Sequence, residues 1–478
     1  MNSVKRLVKN TISMIIARGL QPFLSLALVL AIGRILGPEL FGKYTVVFEL
    51  YFIFQIISSF GLRMLITREV AAQNDKVNNY LVNGTIISIA TSLLSIVTMI
   101  IIVNLLNYDS EIVTGIYIVS ISLIASSLTE VFSGILAGFE DILKIAYGWI
   151  IFLILKTVIS IIVLFAGFGL IEIIIVHVVT KFLQPVIYYY FILKLIKKPL
   201  LVVNIDFCKK LLAMAWRLAL LVICVSVFWR ADAIMLSKLT TNEVVGNYGA
   251  AFKIFWFTLL VVRSFFIAFF PLVSSMFIEQ KENFQKACRK AIRYLIILII
   301  PMTLLISFFA PYFISLIWGN KYNSSALVLQ VMIWTLVPFS ITEVFGSALV
   351  ASKNEMINLV LNTITLIIKL ILNYFLILKY GIVGPAIATV IALICLMVMQ
   401  TPYVIPELIS LKFRTLVAPF VKIIIASFVM LVIIFLLNKY NIAIGIIVPG
   451  FVYFISLFIL RIFSDEDRYY ITKLLKKS

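Results

Sequence analysis

The chain is poor in charge and poorer still in the residues that carry most enzyme chemistry. Charged residues fill 13% of its 478 positions, one histidine is present, and the four cysteines, Cys208, Cys224, Cys288 and Cys395, stand far apart. Soluble domains carry roughly twice that share of charge. With no Cys-x-x-Cys pair and a lone histidine, a disulfide framework and a metal centre find no support. No metal is expected and no catalytic residue is assigned. Acid is especially scarce, 21 Asp and Glu against 40 Lys and Arg, for a net charge of +19. In a soluble domain such a balance would suggest nucleic acid. In a strongly apolar chain a topological cause comes first, because inner loops of membrane proteins collect Lys and Arg. No nucleic-acid partner is expected.

What the chain has instead is long apolar runs. It is 63% hydrophobic, with a mean hydropathy of +1.15. A soluble fold of this composition would expose large apolar patches and aggregate. A helix needs about 20 apolar residues to cross the bilayer core, and that window gives about fourteen spans. They are 11–33, 44–62, 82–104, 114–136, 147–166, 170–193, 212–236, 247–272, 291–310, 326–350, 358–378, 384–404, 416–437 and 444–463. The first run follows Lys5, Arg6 and Lys9 and lacks a small-residue cleavage site, so it is expected to be a retained helix. No loop exceeds about 20 residues by these boundaries, which leaves no room for a soluble domain.

Basic residues orient the spans. With the N-terminus inside, the inner loops carry about 24 Lys and Arg and the outer loops about six. The outer six are Arg34, Lys43, Lys238, Lys321, Lys379 and Lys439. Both termini are therefore expected in the cytoplasm, in a multi-pass protein of the cell (plasma or inner) membrane. Membrane lipids, including anionic lipid at the basic inner clusters, are expected partners.

The stretch TEVF occurs twice within apolar runs, at Thr129–Phe132 and Thr342–Phe345. At the same offset of 213, Leu123 matches Leu336, Ser127 matches Ser340, Leu136 matches Leu349 and Lys156 matches Lys369. Nearer the front of each half, Arg34–Tyr44 matches Lys238–Tyr248 at offset 204, with Glu39/Glu243, Gly42/Gly246 and Tyr44/Tyr248 identical. The two offsets imply one duplicated unit of six spans. Six is even, so both copies enter the membrane from the same side, as a parallel repeat. The expected fold is an all-α polytopic membrane protein: two parallel-repeat six-helix lobes plus two C-terminal helices. The lobes are 1–200 (spans 1–6) and 201–412 (spans 7–12), followed by 413–478 with spans 13 and 14 and a basic tail. Two like lobes with a seam between them suit an alternating-access transporter.

Ionisable residues inside a membrane are costly and turn to the protein interior or to a wet cavity. Fourteen such charges fall within the spans: Arg18, Glu49, Glu130, Lys156, Glu172, Lys181, Arg217, Arg230, Asp232, Lys253, Arg263, Glu343, Lys369 and Lys422. Arg217 and Lys422 lie close enough to span ends to snorkel. Arg230, Asp232, Glu49 and Glu172 lie near the outer face, where local partners are expected. The deep group is Arg18, Lys156, Lys181, Arg263 and Lys369, with Glu130 and Glu343. At 1.5 Å per residue Lys156 lies about 14 Å from the inner edge and Glu130 about 9 Å. Two readings stand for them. The cations line the seam and meet an anionic substrate, or Glu130–Lys156 and Glu343–Lys369 are ion pairs within each lobe. Glu130 and Glu343 are also candidate sites of H⁺ or Na⁺ coupling, and no other cofactor is expected. His177, four residues from Lys181 and so on its face, reads as an interior histidine rather than a proton relay.

Three segments carry a family resemblance: GRILGPELFGKYTVV after span 1, GLRMLITREVA (Gly61–Ala71) after span 2, and RADAIMLSKL with VVGNYGAAFKI between Arg230 and Ile254. They resemble the Wzx-type polysaccharide flippases of the multidrug/oligosaccharidyl-lipid/polysaccharide exporter superfamily, over almost the whole chain. The resemblance implies a flippase and not an enzyme. It would carry a polyprenyl-(pyro)phosphate-linked oligosaccharide from the inner to the outer leaflet for surface polysaccharide or glycan assembly. It also implies a cationic cavity, in which Arg18 matches a basic position, and glycan assembly enzymes as further partners. One departure is Glu172, which stands in the first lobe where the second has Gly384 of its Gly-x-x-Gly turn. Two alternatives remain open. A multidrug exporter of the same superfamily would want acids in its cavity, whereas the deep surplus here is basic. A membrane glycan polymerase or ligase would want a sizeable outer loop.

Overall fold

The apolar runs fold as helices, and the polar joints between them form tight turns. The computed structural model describes residues 2–73, 76–196, 202–406, 413–437, 442–460 and 462. Side chains of residues 2–18, 20, 21, 217, 218, 221, 278, 279, 281, 413–420, 442 and 443 lie outside that description. The helices are α1 (Asn2–Ser59), α2 (Leu62–Ala72), α3 (Val77–Leu105), α4 (Ser110–Gly138), α5 (Ile142–Phe165), α6 (Leu170–Leu195), α7 (Ile205–Leu239) and α8 (Asn242–Glu279). There follow α9 (Lys281–Phe308), α10 (Ala310–Trp318), α11 (Ser325–Met332), α12 (Leu336–Ala351), α13 (Glu355–Tyr380), α14 (Gly384–Val404), α15 (Phe413–Leu437) and α16 (Ile442–Ile459). Among the described residues there is no strand.

Every expected span falls on a helix, and the protein is an all-α multi-pass membrane protein. Nine helical stretches among the described residues are long and apolar enough to cross a membrane. Two of these, Pro22–Ala72 and Glu355–Val404, each hold two of the expected spans. Val421–Leu437 and Ile444–Ile459 are shorter apolar helices, and span 212–236 lies within α7. Side chains such as Leu94, Phe165, Phe435 and Phe451 are more than 60% exposed, as expected where lipid replaces water.

Local chemistry explains the breaks. Spans 1 and 2 run on as one helix, interrupted at Gly37, whose φ of 82° only glycine adopts without strain. Within span 10 the helix tightens at 333–335. Pro338 lacks the N–H that would have bonded the Trp334 carbonyl. Glu172 answers the departure noted above: its carboxylate accepts the Gly169 N–H at 2.9 Å and caps α6. In the second half the equivalent turn is a tight one over 381–383, led by Gly381 at φ 55°.

The duplication shows in backbone detail. Helices α4 and α12 end in the same turn, with Glu140 (φ 59°) and Lys353 (φ 64°) both left-handed and 213 residues apart. The bonds match: Asp141 N–H to Leu136 O at 2.9 Å, and Asn354 N–H to Leu349 O at 2.8 Å. Both satisfy carbonyls that a helix end leaves without partners. In each TEVF the Thr, Val and Phe are buried and the Glu is the least buried of the four.

The chain divides into two compact units, one of Met1–Lys253, Ile314–Ser324 and Leu370–Pro385, the other of the remainder. In the first, α4 is the central helix, packed against α1, α2, α3 and α6. Its serines pair across helices: Ser127 with Ser92 at 2.5 Å and Ser126 with Tyr51 at 2.7 Å. Such pairs answer the absence of water in the bilayer core. A strap formed by Ile314–Ser324 docks on α1. Arg34 donates to Ile317 O at 2.8 Å and Leu316 O at 2.5 Å, while Tyr322 donates to Gly33 O at 2.8 Å. Burial raises the pKa of the Tyr322 hydroxyl. Nearby, Gly42 and Gly246 let α1 and α8 touch backbone to backbone. A Cβ on Gly42 would lie 1.8 Å from Asn242 O, and one on Gly246 would lie 1.9 Å from Pro38 O. In the second unit, Tyr453 donates to Ile297 O at 3.1 Å and Ser307 to Gln330 O at 3.2 Å, tying α16 and α11 to α9.

Candidate functional site

The first unit holds a cavity of about 750 Å³. Its floor is the end of α1, with Phe52, Gln55, Ile56 and Ser59; α2 adds Arg63, Met64, Thr67 and Arg68; α4 adds Glu130 and Ala137; α7 adds Val222 and Arg230. Among the described residues the lining thus combines apolar surface with three guanidinium groups and one carboxylate.

The sequence places α2 for this task. Phe60 (φ 46°) and Gly61 (φ 67°) turn the chain sharply after α1. Helix α2 then buries Leu62, Leu65, Ile66 and Val70, a helical spacing, which leaves Arg63, Met64, Thr67 and Arg68 on the cavity side. The buried face lies on α4 at Gly134 and Gly138, a Gly-x-x-x-Gly spacing that lets helices approach closely. A Cβ on Gly134 would lie 2.9 Å from Arg63 O, and one on Gly138 2.7 Å from Val70 Cβ. Thr67 Oγ1 donates to Gly134 O at 3.1 Å, fixing the register.

Each guanidinium has a carboxylate neighbour. Arg230 Nη1 donates to Glu49 Oε2 at 2.5 Å, and its guanidinium lies 4.4 Å from the Phe52 ring centroid. Glu49 is buried, so this pair fixes Arg230 in place. Arg68 donates to Glu69 at 2.8 Å. Arg63 Nη1 lies 3.7 Å from Glu130 Oε2. Arg230 and Asp232 do find local partners, as expected. Asp232 accepts from Tyr248 at 2.7 Å and from Asn373 at 2.8 Å.

Of the residues singled out from sequence, Glu130 and Arg230 line this cavity. The expected pair Glu130–Lys156 is corrected: the Glu130 partner is Arg63 on α2. The Lys156 ammonium instead turns onto the Phe48 ring, 5.2 Å from its centroid. Lys181 is 8% exposed, donates to Gln184 Oε1 at 2.9 Å and lies 5.0 Å from the Phe152 centroid. His177 is buried among Phe48, Tyr51 and Phe152. Arg263, Glu343 and Lys369 belong to the second unit. There Arg263 lies 4.8 Å from the Trp256 centroid and acts electrostatically on Glu343, while Lys369 is wholly buried. The Arg18 side chain is outside the described residues. Among those residues no group of three or more His, Cys, Asp or Glu is placed to hold a metal ion. Span counting missed Arg63 and Arg68, because both fall between the expected spans. The signal was there in the alternation of apolar and polar residues through Gly61–Ala71.

The profile of a polysaccharide biosynthesis protein family matches residues 7–277, and that of the lipid II flippase MurJ matches residues 247–457. A probable low-salt glycan biosynthesis flippase, Agl15 of Haloferax volcanii, is 24% identical over 184 residues, 38% of this chain. The chain matches 39% of the length of that curated relative. Among solved structures, the lipid II flippase MurJ in an inward closed conformation superposes with a TM-score of 0.77 at 19% identity. That likeness covers 95% of this chain and 99% of the other. An inward-facing multidrug resistance MATE family transporter of the MOP superfamily gives 0.68 at 16% identity, over 83% and 98%. A MOP superfamily transporter from Pyrococcus furiosus, described by the reverse polarity of its binding pocket, gives 0.60 at 16% identity, over 83% and 93%. The fold is therefore that of these transporters. With its profile covering more than half of the sequence, the chain belongs to the polysaccharide biosynthesis protein family.

Proposed function

We propose that the protein is a flippase for a polyprenyl-(pyro)phosphate-linked oligosaccharide, moving it from the inner to the outer leaflet for surface polysaccharide or glycan assembly. The observation that carries this reading is the cavity of about 750 Å³ with Arg63, Arg68 and Arg230 in its lining. Guanidinium groups bind phosphate by paired, charge-assisted hydrogen bonds. The volume suits a head group rather than a whole lipid-linked glycan. The names of two relatives support the same reading: one is called a glycan biosynthesis flippase, the other a lipid II flippase. A cationic drug would meet three like charges here, which disfavours the multidrug alternative.

In this reading the repeat lobes, 1–200 and 201–412, alternate in access around the head group, and residues 413–478 lie outside the duplication. Both termini face the cytoplasm, in the cell membrane. Membrane lipids and glycan assembly enzymes are the partners. Arg18, Lys156, Lys181, Arg263 and Lys369 form a second set of head-group ligands, and Glu130 and Glu343 couple the cycle to H⁺ or Na⁺. The test is a vesicle assay with a fluorescent lipid-diphosphate oligosaccharide. Arg63→Gln and Arg230→Gln are each expected to lower transport by about 10- to 100-fold, the loss of one or two charge-assisted bonds. Wild-type transport by both variants overturns the assignment of this cavity.

A further inference from the structure

The three cavity cations are held to different degrees. Arg230 is fixed by the buried Glu49 and by the Phe52 ring. Arg68 pairs with its chain neighbour Glu69, and its side chain is 67% exposed. Arg63 is held least. Its ion-pair partner among the described residues is Glu130, and the 3.7 Å separation is too long for a hydrogen bond. Both side chains are part-exposed, at 42% and 29%. Among the described residues Glu130 is the one carboxylate in the cavity lining.

A second cation sits on the neighbouring helix. Lys181 is buried on α6, which packs against α4. It is anchored by a hydrogen-bond chain: Lys181 donates to Gln184 at 2.9 Å, Gln184 Nε2 to the Tyr188 hydroxyl at 3.2 Å, and Tyr188 to Ile145 O at 2.8 Å. Glu130 therefore faces a part-exposed guanidinium that it barely holds, while the buried ammonium on α6 is anchored by its own hydrogen-bond chain.

We propose that Glu130 is the resident counter-ion of the cavity: its carboxylate neutralises Arg63 when the cavity is empty, and a phosphoryl oxygen of the cargo displaces it when the cavity is filled. This rests on the anionic-cargo reading above. A phosphate can make two parallel bonds to Arg63, where Glu130 makes none, so displacement is favourable. The displaced carboxylate repels the phosphate that replaced it. Binding is thereby weaker than three arginines alone would give, and release is faster. On the empty return step the pair re-forms, so Arg63 is not left as an unpaired charge within the membrane.

Calorimetric titration of the full chain in zwitterionic nanodiscs, with farnesyl diphosphate as probe, tests this. Glu130→Gln is expected to bind the probe about tenfold tighter. Glu130→Asp, which keeps the charge, is expected to stay within about threefold of wild type. In an Arg63→Gln background, Glu130→Gln is expected to shift affinity by less than about twofold, because its partner is gone. In vesicles, Glu130→Gln is expected to lower both the apparent KM and the turnover of lipid-diphosphate transport. If Glu130→Gln does not fold, Glu130→Ser carries the same expectations. Unchanged or weaker binding by the neutral variants overturns the proposal. So does equal tightening with and without Arg63, which would mean a diffuse field rather than a counter-ion. Two controls address the cargo separately. Wild type binding farnesol as tightly as the diphosphate defeats the anionic-cargo reading and this proposal with it. Inorganic pyrophosphate competing as well as farnesyl diphosphate upholds the role of Glu130 and overturns lipid-linked cargo.

Discussion

His177 is 3% exposed, and among the described residues neither of its ring nitrogens has a hydrogen-bond partner. The Phe48 and Tyr51 rings stand edge-on to it at 5.0 and 5.3 Å. A buried polar group left in this way costs about 1–3 kcal/mol. His177→Phe keeps the ring contacts and removes that cost. The expected outcome is a thermal midpoint at or above wild type, with transport unchanged. A loss of transport in a protein that still melts like wild type would mean that a ring nitrogen takes part in the cycle. The reading of His177 as a satisfied interior histidine agrees with its burial, but among the described residues the partners of a satisfied one are absent. The sequence could not place Glu130. Spacing along α4 and α5 puts Glu130 about 9 Å and Lys156 about 14 Å from the inner edge, a gap a lysine stem can close, but the direction of a side chain around a helix depends on the packed neighbour, which for Glu130 is α2. An ammonium finding an aromatic face, as Lys156 finds Phe48, is equally invisible in span counting.

Helix α2 shows how a short element positions chemistry in a membrane. Its 11 residues are too few to cross the bilayer, and its polar face has nowhere to go but a wet cavity. The contact with α4 depends on Gly134, where an added methyl meets the backbone of Arg63 at 2.9 Å. Gly134→Ala is expected to cost about 1–3 kcal/mol by overpacking. It should also weaken farnesyl diphosphate binding by moving Arg63, although it changes no charge. Thermal unfolding and calorimetry on one sample separate the two effects, and wild-type affinity would show that Arg63 tolerates the shift. The second TEVF is followed by Gly346, Ser347 and Ala351, so the same close seat is not repeated there. The duplication was legible in side chains and proves deeper in the backbone, in the paired left-handed turns at Glu140 and Lys353. The helices were legible because each apolar run approaches the thickness of the bilayer core. The merging of spans 1 and 2 was less so, since it depends on how Gly37 and Pro38 turn the chain.

For the whole molecule, the cavity's excess of guanidinium over carboxylate makes affinity an ionic matter. Exposed charges are screened over about 10 Å at 0.1 M salt and about 3 Å at 1 M. Raising salt across that range is expected to weaken farnesyl diphosphate binding severalfold and to leave farnesol binding unchanged. Equal salt dependence of the two ligands would place the probe outside this cavity. Composition alone had set the membrane class, and the surplus of basic residues within the spans motivates the proposal of an anionic cargo. The site itself lies where the sequence was least apolar and therefore least informative to a span count.

The contact at Gly42 and Gly246 carries an implication about origin. Gly42 meets Asn242 while Gly246 meets Pro38. At the repeat offset of 204, Asn242 is the counterpart of Pro38 and Gly246 of Gly42. Residue i touches j′ and residue j touches i′, the reciprocity of an isologous interface between identical subunits. A single six-span ancestor, paired with a copy of itself, would have made this contact once on each side of its dimer axis. Fusion of two such copies would keep the contact and leave each half free to acquire its own charges around it.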